Sequence, residues 1–205
     1  MTGLKTTLYF VLILALPSLG ISGQKEFIES STVAAGDARE YATRTGKKIL
    51  VQETHPAGQS ISTIKVTTKG FEVDFFETFE DMDPVSKVML GDLDQNGFDE
   101  IYIVTTAQGS GSYSNILAFA SNRDKSLSMV NFPAIKDNDK CFSGYMGHDS
   151  FAIESNTLVR TFPVYKDSDA NASPTGGTRR ITYGLFPGEA MWQLRIERVK
   201  FLTCQ

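Results

Sequence analysis

The chain has 205 residues and a formal net charge of −4, from 20 basic and 24 acidic side chains. This balance argues against a nucleic-acid partner, because proteins that bind nucleic acid usually present a basic patch. Without residues 1–23, roughly 180 residues remain, which is enough to bury one hydrophobic core and usually forms one domain.

The first 23 residues have the pattern of a signal peptide. Lys5 supplies a positive charge, residues 8–16 form an apolar run, and small residues follow between 18 and 22. The run is shorter than the roughly 20 residues that span a bilayer, which favours a cleaved signal over a retained anchor. We therefore expect an exported, soluble, periplasmic protein with no membrane anchor after cleavage.

Residues 24–47 are polar and rich in Ala, and are predicted to form an N-terminal arm, with a short helix over residues 37–43 as one alternative. Beyond them, runs rich in β-branched and aromatic residues predict strands at 49–53, 60–68, 71–77, 85–91, 100–106, 114–120, 126–131, 157–165, 179–186 and 191–202.

Many short strands separated by turn signals are typical of all-β proteins. The sequence therefore predicts an all-β domain over residues 48–205, either an antiparallel β-sandwich or a flattened, barrel-like sheet of about eight strands. The strands at 60–68 and 71–77 are expected to form a hairpin, with its turn at Lys69 and Gly70.

The chain holds two cysteines, Cys141 and Cys204. In an oxidising compartment an isolated pair most simply forms a disulfide bond. Such a bond would close a loop of roughly sixty residues and stabilise the fold by about 4 kcal/mol on the chain-entropy model.

An acidic loop follows the strand at 85–91. Its oxygen-bearing side chains are Asp92, Asp94, Asn96 and Glu100. Ca²⁺ prefers about six to eight oxygen ligands, and alternate residues of a tight loop can point at one centre. An EF-hand would have Glu where Ile103 stands, and the spacing is closer to the short calcium loop of FG-GAP repeats in β-propellers. Bound Ca²⁺ and a metal-free loop closed by Asx-turns both remain open.

The most distinctive segment is the glycine-punctuated hairpin tip at residues 107–113, which contains Ser110, Gly111, Ser112 and Tyr113. No His, Cys or carboxylate stands beside these serines to activate them, so no chemistry of their own is expected. A narrow arm rich in hydrogen-bonding groups suits insertion into the cleft of another protein. An ordinary Gly/Ser turn is the alternative.

The tip sequence Ser110-Gly-Ser-Tyr113 resembles the periplasmic inhibitors of invertebrate-type (I-type) lysozymes. The resemblance continues in Thr161-Phe-Pro-Val-Tyr165 and in Asn171-Ala-Ser-Pro-Thr-Gly-Gly-Thr-Arg-Arg-Ile-Thr-Tyr183, and covers roughly residues 61–196. It implies a non-enzymatic protein without a cofactor. In such inhibitors the Ser and Tyr of the tip, here Ser110 and Tyr113, enter the substrate cleft of the lysozyme and hydrogen-bond around its catalytic carboxylates.

The resemblance also implies a second region that grips a projection of the enzyme. The candidates for it are Gly176, Gly177, Thr178, Arg179 and Arg180. Lysozyme is thus the expected protein partner, and a homodimer is possible.

The sequence also leaves two other functions open. The protein could inhibit a different type of lysozyme, or it could be a calcium-stabilised envelope or carbohydrate-binding module. A hydrolase is disfavoured because neither His55 nor His148 has an evident partner in the sequence.

Overall fold

The computed structural model describes residues 37–136 and 139–202. The predicted signal peptide, the first part of the predicted arm and Cys204 lie outside these ranges. The described strands are β1 (Asp37–Ala42), β2 (Lys48–Thr54), β3 (Ser62–Lys69), β4 (Phe76–Met82), β5 (Val85–Gly91), β6 (Glu100–Thr106), β7 (Ser114–Ser121), β8 (Leu127–Asn131), β9 (Ser150–Glu154), β10 (Thr157–Pro163), β11 (Thr178–Phe186) and β12 (Trp192–Leu202). A short 3₁₀ helix spans Lys140–Phe142.

The strands form two sheets. One has four strands in the order β1-β2-β3-β4, and the other has eight in the order β5-β6-β7-β8-β12-β11-β10-β9. The eight-stranded sheet is nearly closed into a barrel. Its one described parallel pair joins β8 to β12, with Trp192 opposite Val130. The prediction of an all-β fold with a barrel-like sheet of about eight strands is confirmed.

Strands β6 and β7 are buried on both sides, since their side chains point alternately into two different core clusters. The apolar side chains that pack with the four-stranded sheet are Ile101, Ile103, Leu117 and Phe119. Those that pack in the barrel are Tyr102, Val104, Ile116 and Ala118. A strand with two buried faces reads as a nearly continuous apolar run, which is how these two appear in the sequence.

Three local predictions differ from the structure. The helix alternative for residues 37–43 is wrong, since β1 pairs antiparallel with β2. The predicted hairpin is present as β3 and β4, but β4 starts at Phe76. The chain just before it turns away, because the amide groups of Glu72 and Val73 donate to the carbonyl groups of Asp124 and Lys125. Strand β9 had no counterpart among the predicted strands.

The two edge strands of the eight-stranded sheet, β5 and β9, approach each other. Lys87 Nζ donates to the carbonyl oxygen of Phe151 at 2.9 Å. Gly91 lies so close to Ile153 that a Cβ at position 91 would be 2.8 Å from its side chain.

Within the described ranges, no helix is long and apolar enough to cross a membrane.

Candidate functional site

The β6–β7 hairpin tip has an exposed but defined conformation. The amide of Ala107 donates to the carbonyl of Tyr113 at 2.8 Å, and the amide of Ser112 donates to Gly109 at 3.0 Å. Ser112 adopts a positive φ of 42° to make this turn. Ser110 is exposed and Tyr113 keeps 48% of its surface accessible. The side chains of Ser110 and Tyr113 are therefore presented to solvent on a closed turn.

Two neighbouring loops hold the backbone of the tip. The amide of His148 donates to the carbonyl of Gly111 at 2.8 Å, and Asn171 Nδ2 donates to the carbonyl of Ser110 at 2.9 Å. Gly147 has a φ of +87°, and a Cβ there would overlap the carbonyl oxygen of Gly111. A glycine at position 147 is thus needed for the close approach of the two loops.

A buried ion pair lies under the base of the hairpin. Arg160 Nε donates to Asp149 Oδ1 at 2.6 Å, and the two side chains are 2% and 0% exposed. Tyr145 joins them, since its hydroxyl accepts from Arg160 Nη2 and donates to Asp149 Oδ2, both at 2.6 Å. Asp149 Oδ2 also accepts from the amide of Ser114, the first residue of β7. This network connects β10 to the start of the strand that follows the tip.

Burial raises the pKa of the Tyr145 hydroxyl above its ordinary value, so Tyr145 stays protonated and can donate to Asp149. The guanidinium carbon of Arg160 lies 4.9 Å from the ring centroid of Tyr145 and 5.2 Å from that of Phe142. Pairing and cation–π contact together compensate for burial of the charge.

Tyr113 connects this buried network to the surface. Its ring meets the ring of Tyr145 edge to face, with centroids 5.6 Å apart. A surface groove of about 370 Å³ runs beside Tyr113, with Asn115, Phe132 and Pro133 on its walls. The Tyr113 ring is therefore supported on one side by Tyr145, while about half of the residue stays exposed.

The second predicted contact region partly lines another groove, of about 510 Å³. Gly176, Gly177 and Thr178 contribute to its wall. The amide of Gly176 donates to the carbonyl of Val164 at 2.8 Å, and a Cβ at position 176 would be 2.5 Å from that oxygen. The loop before it, through Asn171, is the one that bonds the tip at Ser110. The two regions that the resemblance names are therefore connected by one loop.

Arg179 and Arg180 point to opposite sides of β11. Arg179 is 3% exposed, and its Nη1 donates to the carbonyl groups of Cys141 and Ser143. Arg180 makes a two-point contact with Glu154, and this hydrogen bonding lowers the pKa of the Glu154 carboxyl group. Arg179 thus supports the loop around residue 141, whereas Arg180 is partly accessible. The predicted disulfide stays a prediction, since Cys204 lies outside the described residues.

The three carboxylates among the four predicted ligands of the acidic loop lie close together. Asp92, Asp94 and Glu100 offer carboxylate oxygens that all lie within 4.8 Å of one another. Asn96 shapes the loop, since its backbone amide donates to Asp94 Oδ1 at 3.1 Å and its Oδ1 accepts from the backbone amide of Phe98. Burial and the neighbouring Asp94 raise the pKa of Glu100 to about 8. The loop therefore contains Asx-turn bonds and a carboxylate cluster at once.

His55 has a partner that the sequence did not reveal. Ser62 Oγ lies 2.8 Å from Glu53 Oε1 and 3.0 Å from His55 Nδ1. Ser62 is only 1% exposed, and Glu53 Oε1 also accepts from the amide of Val85. The Ser62 hydroxyl donates to Glu53 and is closed to solvent, so this contact ties β2 and β3 to β5 and does not present an activated nucleophile.

No model of a known protein family, no curated protein and no solved structure matches the chain. The function of this chain is therefore inferred from its residues and their contacts. Sequence reasoning located the tip but missed the three side chains under it, Tyr145, Asp149 and Arg160. One signal was present: Arg160 alternates with Leu158 and Phe162, so it occupies an inward-facing position of β10.

Proposed function

We propose that this protein is exported to the periplasm and inhibits I-type lysozyme, without enzymatic activity of its own, by inserting residues 107–113 into the substrate cleft. The proposal is based mainly on the conformation of the hairpin tip. Ser110 and Tyr113 are exposed on a turn whose backbone is bonded by His148 and Asn171. A loop that is ordered before binding loses less conformational entropy when it binds.

The chemistry of the tip suits a lysozyme cleft. Such a cleft holds one carboxylic acid and one carboxylate, arranged around a sugar ring and its hydroxyl groups. The hydroxyl groups of Ser110, Ser112 and Tyr113 can hydrogen-bond to both carboxyl groups, and they offer no glycosidic bond to cleave. Gly109 and Gly111 keep the arm narrow, since neither has a side chain. Occlusion of the cleft then needs no catalytic group on the inhibitor.

The groove beside Gly176, Gly177 and Thr178 offers a second contact in this proposal. It is lined by the end of the same loop that bonds the tip through Asn171. A projection of the enzyme held in this groove would fix the orientation of the inhibitor while the tip fills the cleft. Arg179 acts indirectly, by bonding the carbonyl groups of Cys141 and Ser143.

A titration of cell-wall lysis tests the proposal. The purified protein is added to I-type, chicken-type and goose-type lysozymes acting on bacterial cell walls. We expect inhibition of the I-type enzyme at micromolar concentration or below, and weaker inhibition of the other two. Selective inhibition of another type would reassign the partner, and unimpeded lysis by all three enzymes would refute the proposal.

A carbohydrate-binding module is the second candidate, because a partly exposed aromatic side chain, Tyr113, borders a groove. It requires affinity for glycans and no effect on lysozyme. Calorimetry with peptidoglycan fragments separates the two functions, since an inhibitor should give no heat with the glycan alone.

A further inference from the structure

The loop between β5 and β6 has the spacing of a cation site. Asp92, Asp94 and Glu100 contribute carboxylate oxygens within 4.8 Å of one another. Two oxygens that bind the same Ca²⁺ at about 2.3–2.6 Å can be at most about 4.6–5.2 Å apart. The three carboxylates can therefore reach one Ca²⁺ with little movement.

Glu100 provides an independent indication. Glu100 is fully buried, with 0% of its surface exposed, and its Oε2 accepts from the backbone amide of Leu93 at 2.7 Å. Its other oxygen, Oε1, is buried and has no hydrogen-bond partner among the described residues. A buried carboxyl oxygen without a partner is costly. A cation between Asp92, Asp94 and Glu100 would satisfy it.

Arg44 balances only part of the negative charge of this loop. Its Nη1 donates to Asp92 Oδ2 at 2.9 Å and its Nε donates to Asp99 Oδ1 at 2.7 Å. These bonds reach neither Asp94 nor Glu100. Even without Glu100, the three carboxylates of Asp92, Asp94 and Asp99 exceed the single guanidinium of Arg44 and leave a local excess of negative charge.

We propose that Asp92, Asp94 and Glu100 bind one Ca²⁺, with backbone carbonyl groups of the loop and water completing its coordination. Several carboxylates on a loop suit Ca²⁺, whereas Mg²⁺ usually keeps most of its water and takes one or two carboxylates. The site lies at the Glu100 end of β6 and the tip follows its Thr106 end, so the two proposals are independent.

The test uses CaCl₂ alone on full-length mature protein that has been stripped with EDTA. Calorimetry up to about 10 mM Ca²⁺, which covers the weak range of extracellular calcium modules, should show one saturable site. The melting temperature should rise with Ca²⁺. Absence of both effects would overturn the proposal, and an equal response to Mg²⁺ would overturn the assignment to Ca²⁺.

Matched variants locate the site. Asp94→Asn removes one ligand charge from a partly exposed position and should weaken Ca²⁺ binding at least tenfold. Glu100→Gln should abolish the calcium-dependent rise in melting temperature. Asp167→Asn, the same change in an exposed loop outside the cluster, should leave the affinity unchanged. Wild-type Ca²⁺ affinity in Asp94→Asn, or an equal loss in Asp167→Asn, would refute the assigned ligands.

Discussion

Gly109 lies in the tip and Gly147 lies in a loop that packs against the tip, but the space around their Cα atoms differs. At position 147 the φ is +87° and a Cβ would overlap the carbonyl of Gly111, whereas at position 109 nothing lies within 4 Å. We expect Gly147→Ala to lower the melting temperature and to weaken lysozyme binding by displacing the tip. Gly109→Ala should leave the melting temperature unchanged. Equal melting temperatures for the two variants would contradict the close contact between the loops.

Arg160 and Arg180 both pair with a carboxylate, but only the first pair is buried. Arg160→Met leaves the side chain of Asp149 buried and uncompensated, and should destabilise the fold by about 3–5 kcal/mol in urea unfolding. Arg180→Met removes a largely exposed contact with Glu154 and should change stability little. The double variant Arg160→Met/Asp149→Asn should recover part of the loss. A small effect of Arg160→Met alone would mean that the network does not support the hairpin.

Single residues show how far the sequence can predict the site. Ser110 and Tyr113 are identifiable because a Gly/Ser-rich tip between two apolar runs is a local pattern. Arg160 at an inward-facing position indicates that a buried acid must exist, but its partner Asp149 belongs to a separate loop. The carboxylate that pairs with Arg160 is determined by the tertiary structure, and residue spacing within one strand does not predict it.

The C-terminal strand and the loop around residue 141 are brought together by β11. Leu202, the last residue of β12, pairs with Thr178, and the adjacent Arg179 donates to the carbonyl of Cys141. Cys204 follows Leu202 by two residues and lies outside the described residues, so the disulfide bond stays a prediction. Mass spectrometry of a non-reduced digest should find the peptides containing Cys141 and Cys204 linked. Free thiols in protein purified from the periplasm would contradict the pairing.

The elements that were predicted best are those with the strongest side-chain pattern. β6 and β7 are buried on both sides and appear as apolar runs. β1 was missed as a strand because Ala-rich, charged sequence also suits a helix, and it is stabilised by pairing with β2 rather than by its own propensity. β9 is a five-residue edge strand that was overlooked, although Phe151 and Ile153 are two residues apart, as on one side of a strand.

At the scale of the whole molecule, strand number and turn spacing were enough to predict an all-β fold with a barrel-like sheet. They could not show that the strands divide into two sheets, or that β8 pairs in parallel with β12. Alternation tells which side of a strand is buried, but not which strand lies beside it. Pairs between strands distant in sequence are decided by the packing of the whole core.

The inhibitor proposal makes a quantitative prediction for the tip. Tyr113→Ala should weaken binding to I-type lysozyme by roughly 2 kcal/mol or more, since a buried tyrosine at the centre of an interface is a common hot spot. Ser110→Ala should cost about 1–3 kcal/mol, because it leaves groups of the enzyme without a partner. Neither variant should lower the melting temperature much, as both side chains lie outside the core. Phe76→Ala, which removes an aromatic side chain that is 67% exposed on β4, is the matched control.

Surface plasmon resonance of these three variants against immobilised I-type lysozyme is the most direct test of insertion. Tyr113→Ala should bind at least about thirtyfold more weakly than the wild type and Ser110→Ala at least about fivefold more weakly, with Phe76→Ala unchanged. Wild-type affinity in both tip variants, or an equal loss in Phe76→Ala, would contradict insertion of the tip into the lysozyme cleft.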